Sequence, residues 1–187
     1  NLFRSEVTRF YLGTILIAGI FITANNFATG FYSSLSESFR YGFFQTVSII
    51  TTTGFATEDT TLWSSFSIVL LIWLMLQCGC AGSTSGRIKS ARIWLTLKVL
   101  RARILQLQHP NAVIRVKLNG SAQDESVIGF AVLFIVVYLL TIIAGTIIVT
   151  ATGLDLTTSF TMIAACMGNV GPGFGEVGSM SNFADIS

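Results

Sequence analysis

Charge is the scarcest commodity in this 187-residue chain: 11% of its residues are Asp, Glu, Lys or Arg, against about 25% in ordinary soluble domains. Mean hydropathy is +0.72, too apolar for a water-soluble domain of this size. Two prolines and 17 scattered glycines exclude a collagen-like chain. Three cysteines exclude a disulfide framework and leave the redox compartment unread. Cys78-x-Cys80 lacks a second ligand pair and the lone His109 follows a basic segment, so zinc and thiol chemistry are set aside. No apolar run contains the acid–base pair that a reaction site inside a membrane needs. No secretory signal precedes the first apolar run and the chain starts at Asn1, as expected of a piece excised from a longer protein.

What is present is apolar sequence in blocks. Uncharged runs cover Phe10–Ser36, Tyr41–Thr57, Thr60–Gly86, Ser126–Leu154 and Leu156–Gly175. A hydrocarbon core about 30 Å thick takes roughly 20 helical residues to cross, so the first, third and fourth runs can span, Val127–Val149 most clearly. Between Arg87 and Lys117 lie eight basic residues and no acidic one, which places that loop in the cytoplasm. With Phe10–Phe27 crossing outward and Trp63–Cys80 crossing back, Arg4 and Arg9 also fall inside. Glu37, Glu58, Asp59, Asp155, Glu176 and Asp185 then face outward against Arg40 alone, an acidic face that raises the local cation concentration. Trp63 and Trp94 read as interfacial anchors at opposite ends of the second crossing.

The segment from Ser36 to about Phe55 is apolar for a helix's length, yet the charge topology requires it to start and finish on one side. It reads as re-entrant, and so does Leu156–Met167 after Asp155. Ser36-Glu37 and Asp155 supply acidic or capping residues to the starts of these two short helices. A shift of 117 positions lays Gly54 on Gly171 and Phe43 on Phe160 without a gap, and Ala28-Thr29-Gly30 echoes Ala151-Thr152-Gly153 at a different spacing. The repeating unit is a crossing helix, a short re-entrant helix, a glycine-bearing strand and a second crossing helix; the second copy stops before its last helix. Non-helical backbone at membrane depth must be buried in protein or line water. Thr51-Thr52-Thr53-Gly54-Phe55 and Gly168-Asn169-Val170-Gly171-Pro172-Gly173 are such backbone, and carbonyl oxygens aligned there can replace the hydration shell of a cation. Neither segment holds an ionisable side chain, so any selectivity comes from carbonyls rather than from a ring of carboxylates.

Three stretches in order, Phe44–Phe55, Gly79-Cys80-Ala81-Gly82-Ser83-Thr84-Ser85-Gly86 and Gly168–Gly173, make the chain resemble the Trk/Ktr/HKT superfamily of potassium transporters, most closely its bacterial TrkH type. The resemblance implies an all-α membrane protein of fused helix–pore loop–helix repeats, as in potassium channels. Residues 1–108 are then a third-type repeat, 109–125 a cytoplasmic linker, and 126–187 a fourth-type repeat lacking its last helix. It implies K+ ions as the only bound groups, with filter positions at Thr52, Thr53, Gly54 and Phe55 and at Asn169, Val170, Gly171 and Pro172. It further implies an intramembrane gating loop at Gly79, Gly82, Ser83, Thr84, Ser85 and Gly86, although Gly82-x-x-x-Gly86 also fits plain helix packing. A cytosolic RCK-domain ring of the TrkA/KtrA kind, a homodimer, contact with membrane lipid and a multi-pass place in the bacterial inner membrane follow from the same resemblance, with no role for nucleic acid.

Other readings are weaker. Two unlike filters in one chain speak against a homotetrameric two-helix channel. Gly173-Phe174-Gly175-Glu176-Val177-Gly178 matches G-x-G-x-x-G, but a dinucleotide site needs a strand before it, a helix after it and an acidic residue about twenty positions on. A membrane-embedded enzyme or nucleotide sensor built on Cys78, Cys80, His109 and that glycine cluster is the alternative from another class. Val113–Leu118 followed by Asn119-Gly120 is expected to form a small cytoplasmic hairpin.

Overall fold

The computed structural model describes residues 5–77, 79, 88–109 and 114–180. Helix α1 (Glu6–Ala28) is capped by Ser5, whose side chain accepts the Thr8 N–H. It rises about 35 Å and stops at Gly30, whose φ of 71° lies in the left-handed region. Helix α2 (Leu35–Thr51) starts ahead of the expected Ser36-Glu37, because Ser34 takes the cap and accepts the Ser36 N–H at 3.2 Å. Helix α3 is confined to Ser65–Leu76, about 18 Å, and ends at Gln77 two residues before Gly79 (φ 89°). The break expected after Leu76 is therefore present, while Cys78, Cys80 and Gly82–Gly86 lie outside the described residues. Helix α4 (Ser90–Gln108) carries the basic sequence. A two-residue hairpin, β1 (Lys117–Leu118) and β2 (Ser121–Ala122), pairs Lys117 with Ala122 and Leu118 with Ser121. Asn119 and Gly120 turn it with positive φ at both positions, as a tight Asn-Gly hairpin requires. The strands are shorter than Val113–Leu118 implies, and Val113 lies outside the described residues. Helix α5 (Glu125–Thr150) and the short α6 (Leu156–Gly168) follow.

Of these, α1 and α5 are long and apolar enough to cross a membrane. Each is followed by a left-handed glycine, Gly30 or Gly153, and then by its short helix. The helices of each pair approach through small residues, as membrane helices do. A Cβ on Gly19 would sit 2.7 Å from the Phe43 ring, and one on Gly145 would sit 3.1 Å from Ile163. The two units share one core, in which Ile22, Ile49, Ile50, Leu71, Leu74 and Met75 pack with Ala165, Val170 and Phe174.

Polar bonds inside this core tie α1 to α3. The Ser67 hydroxyl donates to Asn26 Oδ1 at 2.7 Å, Asn25 Nδ2 to Ser64 Oγ at 2.5 Å, and Gln77 Nε2 to Thr14 Oγ1 at 3.1 Å. Trp63 belongs to the same interior. It is 4% exposed and its indole N–H donates to the Tyr32 hydroxyl at 3.2 Å, so it is a core residue and not the interfacial anchor its position suggests. Burial pushes the Tyr32 phenol up to about 12 and keeps it neutral. Trp94 lies near the start of α1, with its indole N–H on Glu6 Oε2 at 3.3 Å and its ring 4.9 Å from that of Phe10. Lys98 pairs with the same Glu6 carboxylate and donates to the Lys117 carbonyl at 2.8 Å, while Asn119 Oδ1 accepts the Glu6 N–H at 2.8 Å. One cluster thus joins α1, α4 and the hairpin.

Replacing Ser67 with Ala removes a donor from the buried Asn26 carboxamide, whose Nδ2 already lacks a partner among the described residues. The expected cost is about 1 kcal/mol, seen as a lower thermal midpoint of the complete protein in detergent; an unchanged midpoint would show that this bond adds nothing.

Candidate ion site

The ends of the two short helices are built alike. In α2 the Thr52 N–H bonds the Ile49 carbonyl at 3.1 Å and the Thr53 N–H bonds the Ser48 carbonyl at 2.9 Å. In α6 the Asn169 N–H bonds the Cys166 carbonyl at 3.2 Å and the Val170 N–H bonds the Ala165 carbonyl at 3.0 Å. Every partner is displaced by the same 117 positions. Both ends are Schellman turns, which occupy two carbonyls left unpaired at a helix C-terminus and turn the chain sharply. The residue each turn holds in the left-handed region is Thr52 (φ 68°) or Asn169 (φ 49°), not glycine. Asparagine tolerates that region, but a β-branched threonine there is strained. Such strain persists where the surrounding structure over-determines it, typically at functional sites.

Two residues later each chain reaches its glycine, and there the copies meet. A Cβ on Gly54 (φ 73°) would lie 2.4 Å from the Val170 carbonyl oxygen and 3.6 Å from Pro172 Cδ. A Cβ on Gly171 (φ 104°) would find its nearest neighbour, Gly54 Cα, at 3.8 Å. Gly54 is thereby brought beside Val170, Gly171 and Pro172, with Thr52, Thr53 and Phe55 its neighbours along the first segment and Asn169 preceding Val170 along the second. Peptide oxygens are what this backbone offers to a ligand, and the charged residues nearest along the sequence are Glu58, Asp59 and Glu176. Asp59 is engaged locally, accepting the Thr61 N–H at 2.9 Å and the Thr61 hydroxyl at 2.6 Å. The segments beyond the glycines are stitched to each other: the Ser179 hydroxyl donates to the Glu58 carbonyl at 3.0 Å and accepts the Thr60 N–H at 3.1 Å.

Sequence reasoning missed the side chains that support this backbone. The Ser48 hydroxyl donates to the Phe55 carbonyl at 2.5 Å, and the Thr161 hydroxyl accepts the Phe174 N–H at 2.9 Å. The available signal was a hydroxyl residue inside each apolar run, Val47-Ser48-Ile49 and Phe160-Thr161-Met162. Of the expected gating loop, Gly79 is described: its N–H points to the Ile50 carbonyl at 3.4 Å and its carbonyl accepts the Ser90 N–H and hydroxyl, each at 3.2 Å. The G-x-G-x-x-G match at 173–178 follows no strand. It is a loop containing a short 3-10 turn at Gly175–Val177, with Phe174 and Val177 buried. Among the described residues, no group of three His, Cys, Asp or Glu is placed to hold a metal ion.

Both glycines resist substitution, to different degrees. Gly54→Ala meets a backbone oxygen as well as an unfavourable φ, whereas Gly171→Ala meets the φ penalty alone, about 1–2 kcal/mol. The thermal midpoint of the complete protein should fall further for Gly54→Ala; equal falls would contradict the close approach. Thr52→Gly relieves strain at the turn and should raise the midpoint by the equivalent of about 1 kcal/mol.

The architecture and sequence have relatives. The family model for TrkH, a cation transport protein, matches residues 2–187. The Trk system potassium uptake protein TrkH of Salmonella typhimurium is 34% identical over 184 residues, covering 98% of this chain and 38% of the relative. Its namesake from Vibrio parahaemolyticus is 38% identical over 156 residues, covering 83% of this chain and 32% of that one. The crystal structure of the potassium transporter TrkH from Vibrio parahaemolyticus superposes with a TM-score of 0.89 at 32% identity, over 99% of this chain and 39% of that chain. The chain thus spans under two-fifths of the length of the curated relatives it matches. With its helical membrane architecture and its repeated short helices, it belongs to the TrkH family of cation transport proteins.

Proposed function

We propose that this chain supplies two adjacent walls of a potassium-conducting pore, in which the glycine-bearing turns after α2 and α6 act as a carbonyl selectivity filter. The observation that carries this reading is the approach of Gly54 and Gly171, two repeat-related glycines with left-handed φ, each placed just past a short helix. A short helix ending there directs the negative end of its dipole toward the turn, and glycine keeps side chains out of the path. Potassium is the ion because the TrkH relatives carry out potassium uptake by name. Thr52, Thr53, Gly54 and Phe55 on one wall, and Asn169, Val170, Gly171 and Pro172 on the other, are the proposed ligands through their backbone oxygens. The cargo ions are the only bound groups the reading calls for, with no covalent cofactor and no enzymatic step.

The finer parts of the proposal rest on family resemblance. Gly79, Gly82, Ser83, Thr84, Ser85 and Gly86 form the gating loop, the basic α4 face and hairpin receive a cytosolic RCK-domain ring of the TrkA/KtrA kind, and the complete protein is a multi-pass homodimer in the bacterial inner membrane.

The test is cation flux in liposomes containing the complete protein. Potassium should pass in preference to sodium, and Gly54→Ala or Gly171→Ala should lower that preference roughly tenfold, the ratio matching about 1.4 kcal/mol. Unchanged preference in both variants, or no cation flux at all from the native protein, would overturn the filter assignment.

A further inference from the structure

The two copies brace their filters differently. Ser48 holds the first wall at three points: its main-chain oxygen accepts the Thr53 N–H at 2.9 Å and, at a longer 3.5 Å, the Gly54 N–H, while its hydroxyl donates to the Phe55 carbonyl at 2.5 Å. Ser48 is 4% exposed, while Phe55, whose carbonyl it binds, is 69% exposed. At the equivalent place in the second copy stands Ala165. Its carbonyl keeps the backbone half of the arrangement, accepting the Val170 N–H at 3.0 Å, but its methyl group cannot donate to Pro172. The second wall is instead anchored further along, where the buried Thr161 hydroxyl accepts the Phe174 N–H at 2.9 Å and lies 2.8 Å from its own Thr157 carbonyl. The counterpart of Thr161 in the first copy is Phe44, which has no hydroxyl.

A carbonyl oxygen has two lone pairs. An O–H donor at 2.5 Å occupies one of them and draws electron density from the oxygen. Pro172 O, which occupies the position equivalent to Phe55 O, receives no such bond from Ala165.

From this asymmetry we propose that Ser48 is a specificity-determining positioning residue. Its hydroxyl draws the Phe55 carbonyl toward α2, fixing its angle and weakening it as an ion ligand relative to Pro172 on the neighbouring wall. Ser48 touches no ion; it acts through Phe55. The inference rests on the filter reading above and deepens it by assigning unequal ligand strength to equivalent positions. Removing the hydroxyl frees the Phe55 carbonyl to rotate, so that it adapts to the smaller sodium ion as readily as to potassium.

The experiment uses the complete protein in liposomes with potassium and sodium as the probe ions, and compares Ser48→Ala, Ser48→Thr and Gly171→Ala. Ser48→Ala should lower the potassium-over-sodium permeability ratio roughly fivefold, the factor one net hydrogen bond corresponds to. Ser48→Thr, which keeps the hydroxyl, should restore the ratio. A Ser48→Ala protein with a lower thermal midpoint but native selectivity would mark the bond as structural only and overturn the inference. So would a folded Ser48→Thr protein as unselective as the alanine variant. If the threonine does not fit, Ser48→Cys serves in its place: its weak donor should give an intermediate ratio, and a ratio no higher than that of alanine counts against the proposal. Gly171→Ala separates the two levels of argument. Loss of selectivity in Gly171→Ala with none in Ser48→Ala defeats the brace alone, whereas native selectivity in Gly171→Ala defeats the filter reading beneath it.

Discussion

A peptide group that leaves a helix inside a membrane must find a partner within the protein, because the hydrocarbon offers none. Most of this structure can be understood as the working out of that constraint at two places. At the ends of α2 and α6 the freed groups are reclaimed by Schellman bonds running back to the helix's own carbonyls. Hydroxyls then take up groups further along, Ser48 at Phe55 and Thr161 at Phe174. Beyond those bonds the two glycine-bearing segments approach each other, Gly54 against Val170 and Gly171. The break after α3 obeys the same rule, since Gly79 bonds both to the end of α2 and to the start of α4.

The packing around these turns follows from the scarcity of large side chains at the crossings. Gly19 lets the Phe43 ring reach α1, and Gly145 lets Ile163 reach α5. With the backbones close, small polar residues become useful, and Asn26, Ser67, Thr14 and Gln77 exchange bonds across α1 and α3 in a core otherwise made of Ile, Leu and Met. Such bonds contribute modestly in a membrane setting, but they are directional. They fix the rotation of α3 about its axis, which apolar contacts alone would leave loosely set.

Much of this was legible in the sequence because it depended on local rules. Uncharged length gave α1 and α5, the cluster of small residues after Leu76 gave the end of α3, Asn119-Gly120 gave the hairpin, and the 117-position shift gave the matching helix ends. What escaped was decided by tertiary contact. Trp63 looks like an interfacial anchor by type and position, but Tyr32 offers its indole a hydrogen bond inside the protein and the ring is buried there. The hairpin is shorter than its alternating pattern: outside the two paired positions on each strand, one bond from the Gln123 N–H to the Val116 carbonyl at 2.9 Å extends the ladder. Ser48 and Thr161 were hidden because a hydroxyl in an apolar helix more often bonds back to its own turn, and which serine reaches across to a neighbouring strand depends on where that strand lies.

On the filter reading proposed above, the presence of two unlike copies in one chain has a consequence for how such a ring of walls can change. In an assembly of identical subunits every altered residue enters the ring as many times as there are subunits, and its energetic effect is multiplied accordingly. Here serine faces one wall and alanine the next at the same station. A single replacement therefore enters the circle once, in an increment comparable to thermal energy, and the fit to an ion can be adjusted in steps too fine for a symmetric design.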